Sequence, residues 1–208
     1  MYIVYKTATT GLWDKTKQLG DKAQPRMCAL AWALFHEDGN LVNDVKCRVC
    51  KLPDTVEIPE TASRIHGYTR EVIRELGKPI NWALGEFLMD WYKAWCEVVY
   101  NSPFDLNIVS NELILAGREP LGVLRERREG GMPYYDLMQD AKPFCNLTNK
   151  WGKPQAPKMF LAYELLTKNK WGVNPSLEEQ VLKLGELFEA LKIKYAERDK
   201  NTVSECTV

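Results

Sequence analysis

Two patterns in this chain use residue types that can do chemistry. Cys47 and Cys50 form a C-x-x-C, half of a zinc site in which thiolates close on one ion. No second pair at ligand spacing follows, and residues 41–52 alternate loosely, as a strand does. Residues three apart in a strand point to opposite faces. Reduced thiols in a cytoplasmic protein are therefore expected. The second pattern is basic. Lys142, Lys150, Lys153, Lys158, Lys168 and Lys170 are interleaved with Trp151, Phe160 and Trp171. Ammonium groups can track backbone phosphates while rings stack on bases. A solvated basic face over core aromatics gives the same pattern, and the sequence leaves both readings open. Arg125, Arg127 and Arg128 alternate with Glu126 and Glu129, which weakens them as a patch.

The elements that position these residues can be read from periodicity. Residues 2–7 and the nearly continuous apolar run 27–36 read as strands, the second buried on both faces. Residues 37–40, Glu-Asp-Gly-Asn, make a hairpin turn, and residues 41–52 read as the returning strand. Helices are expected over 69–76 with Thr69 as cap, over 80–96, over 104–116, over 157–166 and over 175–198. Trp91 and Trp95 fall on the apolar stripe of the second of these and are expected in the core, as is Trp32. Further strands are read at 98–101 and 134–138, with a polar, glycine-bearing loop between them at 118–133. An antiparallel hairpin beside parallel strands implies an α/β domain with a mixed sheet. One domain over 1–198 and a polar tail over 199–208 account for the 208 residues.

Lys and Arg together number 28, as do Asp and Glu, so any attraction to nucleic acid must be local rather than global. The apolar runs are too short to span a bilayer, and the start of the chain lacks the layout of a secretory signal. A cytoplasmic protein without a membrane partner is expected.

Tyr5-Lys6-Thr7-Ala8-Thr9-Thr10-Gly11 resembles the first motif of the DEDDh 3′–5′ exonucleases, hydrophobic-Asp-Thr-Glu-Thr-Thr-Gly. Ile65-His66-Gly67-Tyr68-Thr69 is similar to the Ile-His-Gly-Ile-Thr segment of that family. Asn101-Ser102-Pro103-Phe104-Asp105 resembles its second motif, and the stretch from Lys158 to Leu166 followed by Val173 to Glu179 resembles its third region. The order and spacing of these stretches imply an RNase H-like, exonuclease-like fold over most of the chain.

The resemblance also implies a site that has been dismantled. The family's chemistry places four carboxylates around two divalent ions, with a histidine as base. Here Lys6 stands for the first Asp and Ala8 for the Glu. Asp105 is kept, Glu179 stands for the last Asp, Asn174 for the histidine, and Tyr100 for the histidine that opens the second motif. The formal charge of the four ligand positions changes from about −4 to about −1, against two hard dications that need anionic oxygen. An ammonium about 4 Å from a metal is repelled by roughly 4 kcal/mol per unit of metal charge at an effective dielectric of 20. No cofactor is expected; Mg²⁺ or Mn²⁺ would enter only with residual activity, through Asp105 and Glu179.

Lys6 is expected to occupy the metal position and pair with both carboxylates. Asn174-Pro175 fits an N-cap followed by proline at the first helical position, or Ser176 and Glu179 make a capping box. Thr9, Thr10, His66, Asn101, Phe104, Lys150, Trp151, Lys153 and Lys158 are the candidates for contact with a strand. Trp13, beside the Thr-Thr-Gly turn, and Trp151 are candidate interface anchors. A noncatalytic binder of single-stranded nucleic acid, a protein-interaction or inhibitory module acting on a nucleic-acid enzyme, and a residual nuclease all remain open, with self-association as a further possibility.

Overall fold

The protein was studied as a computed structural model, which describes residues 1–117 and 129–205. Its centre is a five-stranded sheet in the order β3-β2-β1-β4-β5, with β1 (Tyr2–Thr9), β2 (Met27–Phe35), β3 (Lys46–Val49), β4 (Cys96–Val99) and β5 (Tyr134–Asp136). β1 pairs antiparallel with β2, β2 antiparallel with β3, and β1–β4 and β4–β5 are parallel. Helices α1 (Glu60–His66), α2 (Arg70–Leu76) and α3 (Ile80–Trp91) link the hairpin to β4. α4 (Ser102–Leu115) follows β4, and α5 (Leu137–Cys145), α6 (Met159–Thr167) and α7 (Leu177–Glu205) close the chain.

The period of two along β1 divides the core. Tyr2, Val4 and Ala8 pack on one face with residues of α5, α6 and α7, whereas Ile3 and Tyr5 pack on the other with α3 and α4. β2 is buried at every position, as its unbroken apolar run requires. α7 comes very close to β2. A Cβ built on Gly185 would lie 2.7 Å from the Phe35 ring, so only glycine fits there. Phe35 in turn stacks on Tyr2 at 5.2 Å between centroids.

Several expectations from sequence are corrected. The long helix of residues 80–96 stops at Trp91, and Cys96 already belongs to β4. Trp91 is fully buried and donates to Glu97, but Trp95 lies beyond the helix and is half exposed, outside its stripe. The returning strand is shorter than 41–52. The chain touches β2 at Leu41, departs, and rejoins over Lys46–Val49. α1 was not expected at all, and His66 is its last residue. α5 was also missed, because Pro143 inside it reads as a breaker. The tail expected from Asp199 is helical as far as Glu205. Arg125, Arg127 and Arg128 lie outside the described residues. Cys47 packs beside one core and Cys50 within the other, on opposite faces of the sheet.

Candidate functional site

β4 pairs with β1 only from Tyr2 to Val4, so β1 runs on alone along that edge. The order of the strands reverses between these two neighbours, the position where open α/β sheets hold ligands. Beyond Val4 the free edge of β1 must satisfy its N–H groups elsewhere. Asp105, in the first turn of α4 and 0 % exposed, supplies the acceptor. Its Oδ1 accepts from the Thr7 backbone N–H at 2.8 Å and from the Thr7 hydroxyl at 2.6 Å. Its Oδ2 accepts from Lys6 Nζ at 2.8 Å. A buried carboxylate is tolerable only with such partners. The Lys6 side chain remains 15 % exposed.

α4 is seated by a residue from a different strand. Asn101 precedes the helix in the left-handed region, at φ 62°, and its side chain makes no cap. The Asp136 carboxylate at the end of β5 accepts from the backbone N–H groups of Asn101, at 2.9 Å, and Ser102, at 3.1 Å. It also accepts from Met138 and so caps α5. Tyr100 donates its hydroxyl to the Pro157 carbonyl at 2.7 Å, which fixes the approach to α6.

Beside the Lys6–Asp105 pair lies a groove of about 680 Å³. Its floor is β1 from Lys6 to Thr9, with Thr10, Gly11 and Leu12 at one end. Pro59 and one face of α1 (Thr61, Ala62, Ile65 and His66) form a wall, and Met159, Leu177 and Gln180 complete it. Leu12 and Ile65 are 87 % and 80 % exposed. His66 is held in one tautomer: Nδ1 accepts from the Tyr68 N–H, so Nε2–H donates to the Thr9 carbonyl at 3.1 Å. Burial lowers its pKa, with the Thr9 hydrogen bond opposing, and a ring whose Nδ1 accepts a hydrogen bond is the neutral form.

The sequence candidates thus divide. Lys6, Ala8, Thr9, Thr10 and His66 share the groove. Phe104 is close by, with Lys6 Nζ 5.8 Å from its ring centroid. Lys150, Trp151, Lys153 and Lys158 are exposed but, among the described residues, do not line it. Lys150 lies over the Trp151 ring at 4.4 Å. Of the interleaved aromatics, Trp171 is buried against Tyr163, whereas Trp151 and Phe160 face solvent. Trp13 is half-buried and packs on the core beneath α4.

Glu179 does not pair with Lys6 as expected. It closes a capping box instead, accepting from Ser176 N–H at 2.6 Å while its own N–H donates to Ser176 Oγ. The N-cap of α7 is therefore Ser176 and not Asn174, which sits exposed in the left-handed region at φ 49°. The wall residues Leu12, Ile65, Met159, Leu177 and Gln180 were missed. The signal for Ile65 was the helical spacing of Thr61, Ala62, Ile65 and His66 on one face of α1.

The donors do not suit a pair of hard divalent ions. Asp105 has both oxygens engaged, one by a cation; Ala8 offers no ligand; and Glu179 is committed to its helix. Lys6 would bring a positive charge into the coordination sphere.

No protein-family model matches the chain, and no curated protein matches it. Solved structures do. Apo exonuclease I aligns over 99 % of this chain at TM-score 0.61 and 15 % identity. E. coli exonuclease I with a dT13 oligonucleotide aligns over 95 % at TM-score 0.63 and 15 % identity, and the complex with a 5cy-dA13 oligonucleotide over 99 % at 0.65 and 16 %. The alignments take in 46 %, 42 % and 45 % of those longer chains, so this chain spans less than half of their length. A zinc-bound form of the E. coli enzyme with single-stranded DNA is similar to it as well. The mixed five-stranded sheet with its flanking helices has the fold of exonuclease I.

Proposed function

We propose that this chain is a noncatalytic exonuclease-fold protein that holds single-stranded nucleic acid in the groove beside β1 without cutting it. The observation that carries the reading is the Lys6–Asp105 ion pair at 2.8 Å. Two-metal hydrolysis needs anionic ligands free to bind ions that activate water and clamp the scissile phosphate. Here the one buried carboxylate at the position is neutralised by an ammonium, and the neighbouring residue is an alanine. The neutral, tied His66 is engaged with the Thr9 carbonyl, and Asn174 has no proton affinity to act as a base.

Support for nucleic acid comes from the oligonucleotide complexes of the similar structures, and from a groove whose walls are formed by a cation, threonines and apolar side chains. The test is binding of a labelled oligothymidylate across a salt series, with parallel incubation in Mn²⁺. We expect affinity that falls steeply with salt and no shortening of the strand. Trimming that Asp105→Ala abolishes would overturn the reading and assign a residual 3′–5′ exonuclease that uses Mg²⁺ or Mn²⁺.

One observation favours a second reading, a protein-interaction or inhibitory module for a nucleic-acid enzyme. Leu12 and Ile65 are almost wholly exposed at the groove, and apolar side chains so placed suit a protein partner. No oligonucleotide binding even at low salt would select it.

A further inference from the structure

The groove beside β1 has a charge pattern opposite to that of a metal-dependent nuclease. Among the described residues its lining contains Lys6 and no aspartate or glutamate. Asp105 lies beneath the floor, fully buried, and its charge is met there by Lys6, the Thr7 N–H and the Thr7 hydroxyl. An ammonium has three N–H donors and no acceptor. One is directed to Asp105 Oδ2, and the side chain is 15 % exposed at the groove. Thr7, Thr9, Thr10 and Thr61 line the same space. The Thr10 hydroxyl oxygen accepts from the Arg26 N–H, so its own hydrogen is directed away from that bond.

We propose that Lys6 binds a backbone phosphate of the strand directly, a metal-free phosphodiester site in which the ammonium supplies the positive charge. The inference rests on the nucleic-acid reading above and specifies its chemistry. Asp105 has a positioning role. It anchors Lys6 Nζ at the floor, so that the lysine enters the complex with little conformational freedom left to lose. The ligand is an anionic phosphodiester, and its binding requires no divalent cation. Thr10 is placed to donate to a second oxygen of the same group, because it lines the same groove with its hydroxyl hydrogen free of the Arg26 bond.

The experiment measures binding of a labelled oligothymidylate to the full chain in EDTA and in Mg²⁺, using wild type, Lys6→Met and Lys6→Arg. A matched oligonucleotide carries methylphosphonate linkages at its last three positions. We expect equal affinity with and without Mg²⁺. Lys6→Met should lower affinity on the order of ten- to a hundredfold, the range for one charge-assisted hydrogen bond. It should also flatten the log–log salt slope by about 0.7, the increment for one phosphate on a single strand. The methylphosphonate strand should lose a similar factor on wild type and nothing further on Lys6→Met. Lys6→Arg keeps the charge and should retain most of the affinity; circular dichroism confirms that each variant folds.

If the oligonucleotide binds but Lys6→Met leaves affinity and salt slope unchanged, the phosphate site is overturned while the nucleic-acid reading stands. Binding that requires Mg²⁺ overturns it too. If wild type binds no oligonucleotide at low salt, both readings fall together.

Discussion

Two buried ion pairs tie α4 to the sheet, and they differ in how their cations are held. Asp105 and Glu112 are both fully buried on α4. Each accepts a backbone N–H, from Thr7 and from Met27, and each binds a cation whose side chain is about 15 % exposed, Lys6 at 15 % and Arg26 at 14 %. Arg26 meets Glu112 with two nitrogens at 2.8 Å, Nε and Nη2, a bidentate pairing that fixes the plane of the guanidinium. Lys6 meets Asp105 with its single nitrogen, which keeps hydrogens for something else and opens on the groove. The arginine pair is locked by its two-point geometry, and the lysine pair is held at one point beside the groove.

The comparison can be broken by removing each carboxylate in turn. Glu112→Ala should cost about 3–5 kcal/mol, because Arg26 and the Met27 N–H lose their partner in the interior. Asp105→Ala should cost about 2–3 kcal/mol, since a flexible lysine at a groove can turn to water. Urea denaturation of both variants measures the difference; equal losses would show that the two pairs do the same work.

A third carboxylate sharpens the contrast, because among the described residues no cation pairs with it. Asp140 in α5 is half-buried, and its Oδ2 has no hydrogen-bond partner. Burial, and then the charge of Asp136, raise its pKa to about 6. The sign follows from proton counting. With the folded value above the unfolded one, the folded state binds more protons between pH 4 and 6, so stability falls as pH rises through that window. Asp140→Asn should therefore stabilise the protein at pH 7 by about 1 kcal/mol, after allowance for solvent screening, and by nothing near pH 4. Thermal unfolding at the two pH values checks this. An effect of similar size belongs to Glu179→Ala. Loss of the capping box should cost about 1 kcal/mol and leave oligonucleotide affinity unchanged, since Glu179 is not in the groove lining.

How much of this was legible in the sequence depended on the range of the interaction involved. The mixed sheet could be read because hydrophobic period and turn residues are local signals, whereas its strand order came only from the structure. The meeting of Lys6 with Asp105 spans 99 positions and came only from the resemblance of two short motifs. The destination of Glu179 was ambiguous for a physical reason. Its N3 position in Ser-x-x-Glu made a local partner available without any tertiary cost, and the local bond won. α1 and α5 escaped because each is short and flanked or interrupted by proline, so the apolar period never accumulates. The exposed Leu12 carries no pattern at all, and its place at the groove became visible only with three-dimensional packing.

The double cap formed by Asp136 has a consequence for synthesis. α4, with Asp105 in its first turn, is synthesised before residue 136, so its first amides lack their acceptor until that carboxylate arrives. A three-residue edge strand, made late, thus completes the orientation of a helix made early. A nascent chain ending before Asp136 would carry Lys6 and Asp105 without the carboxylate that holds the start of α4.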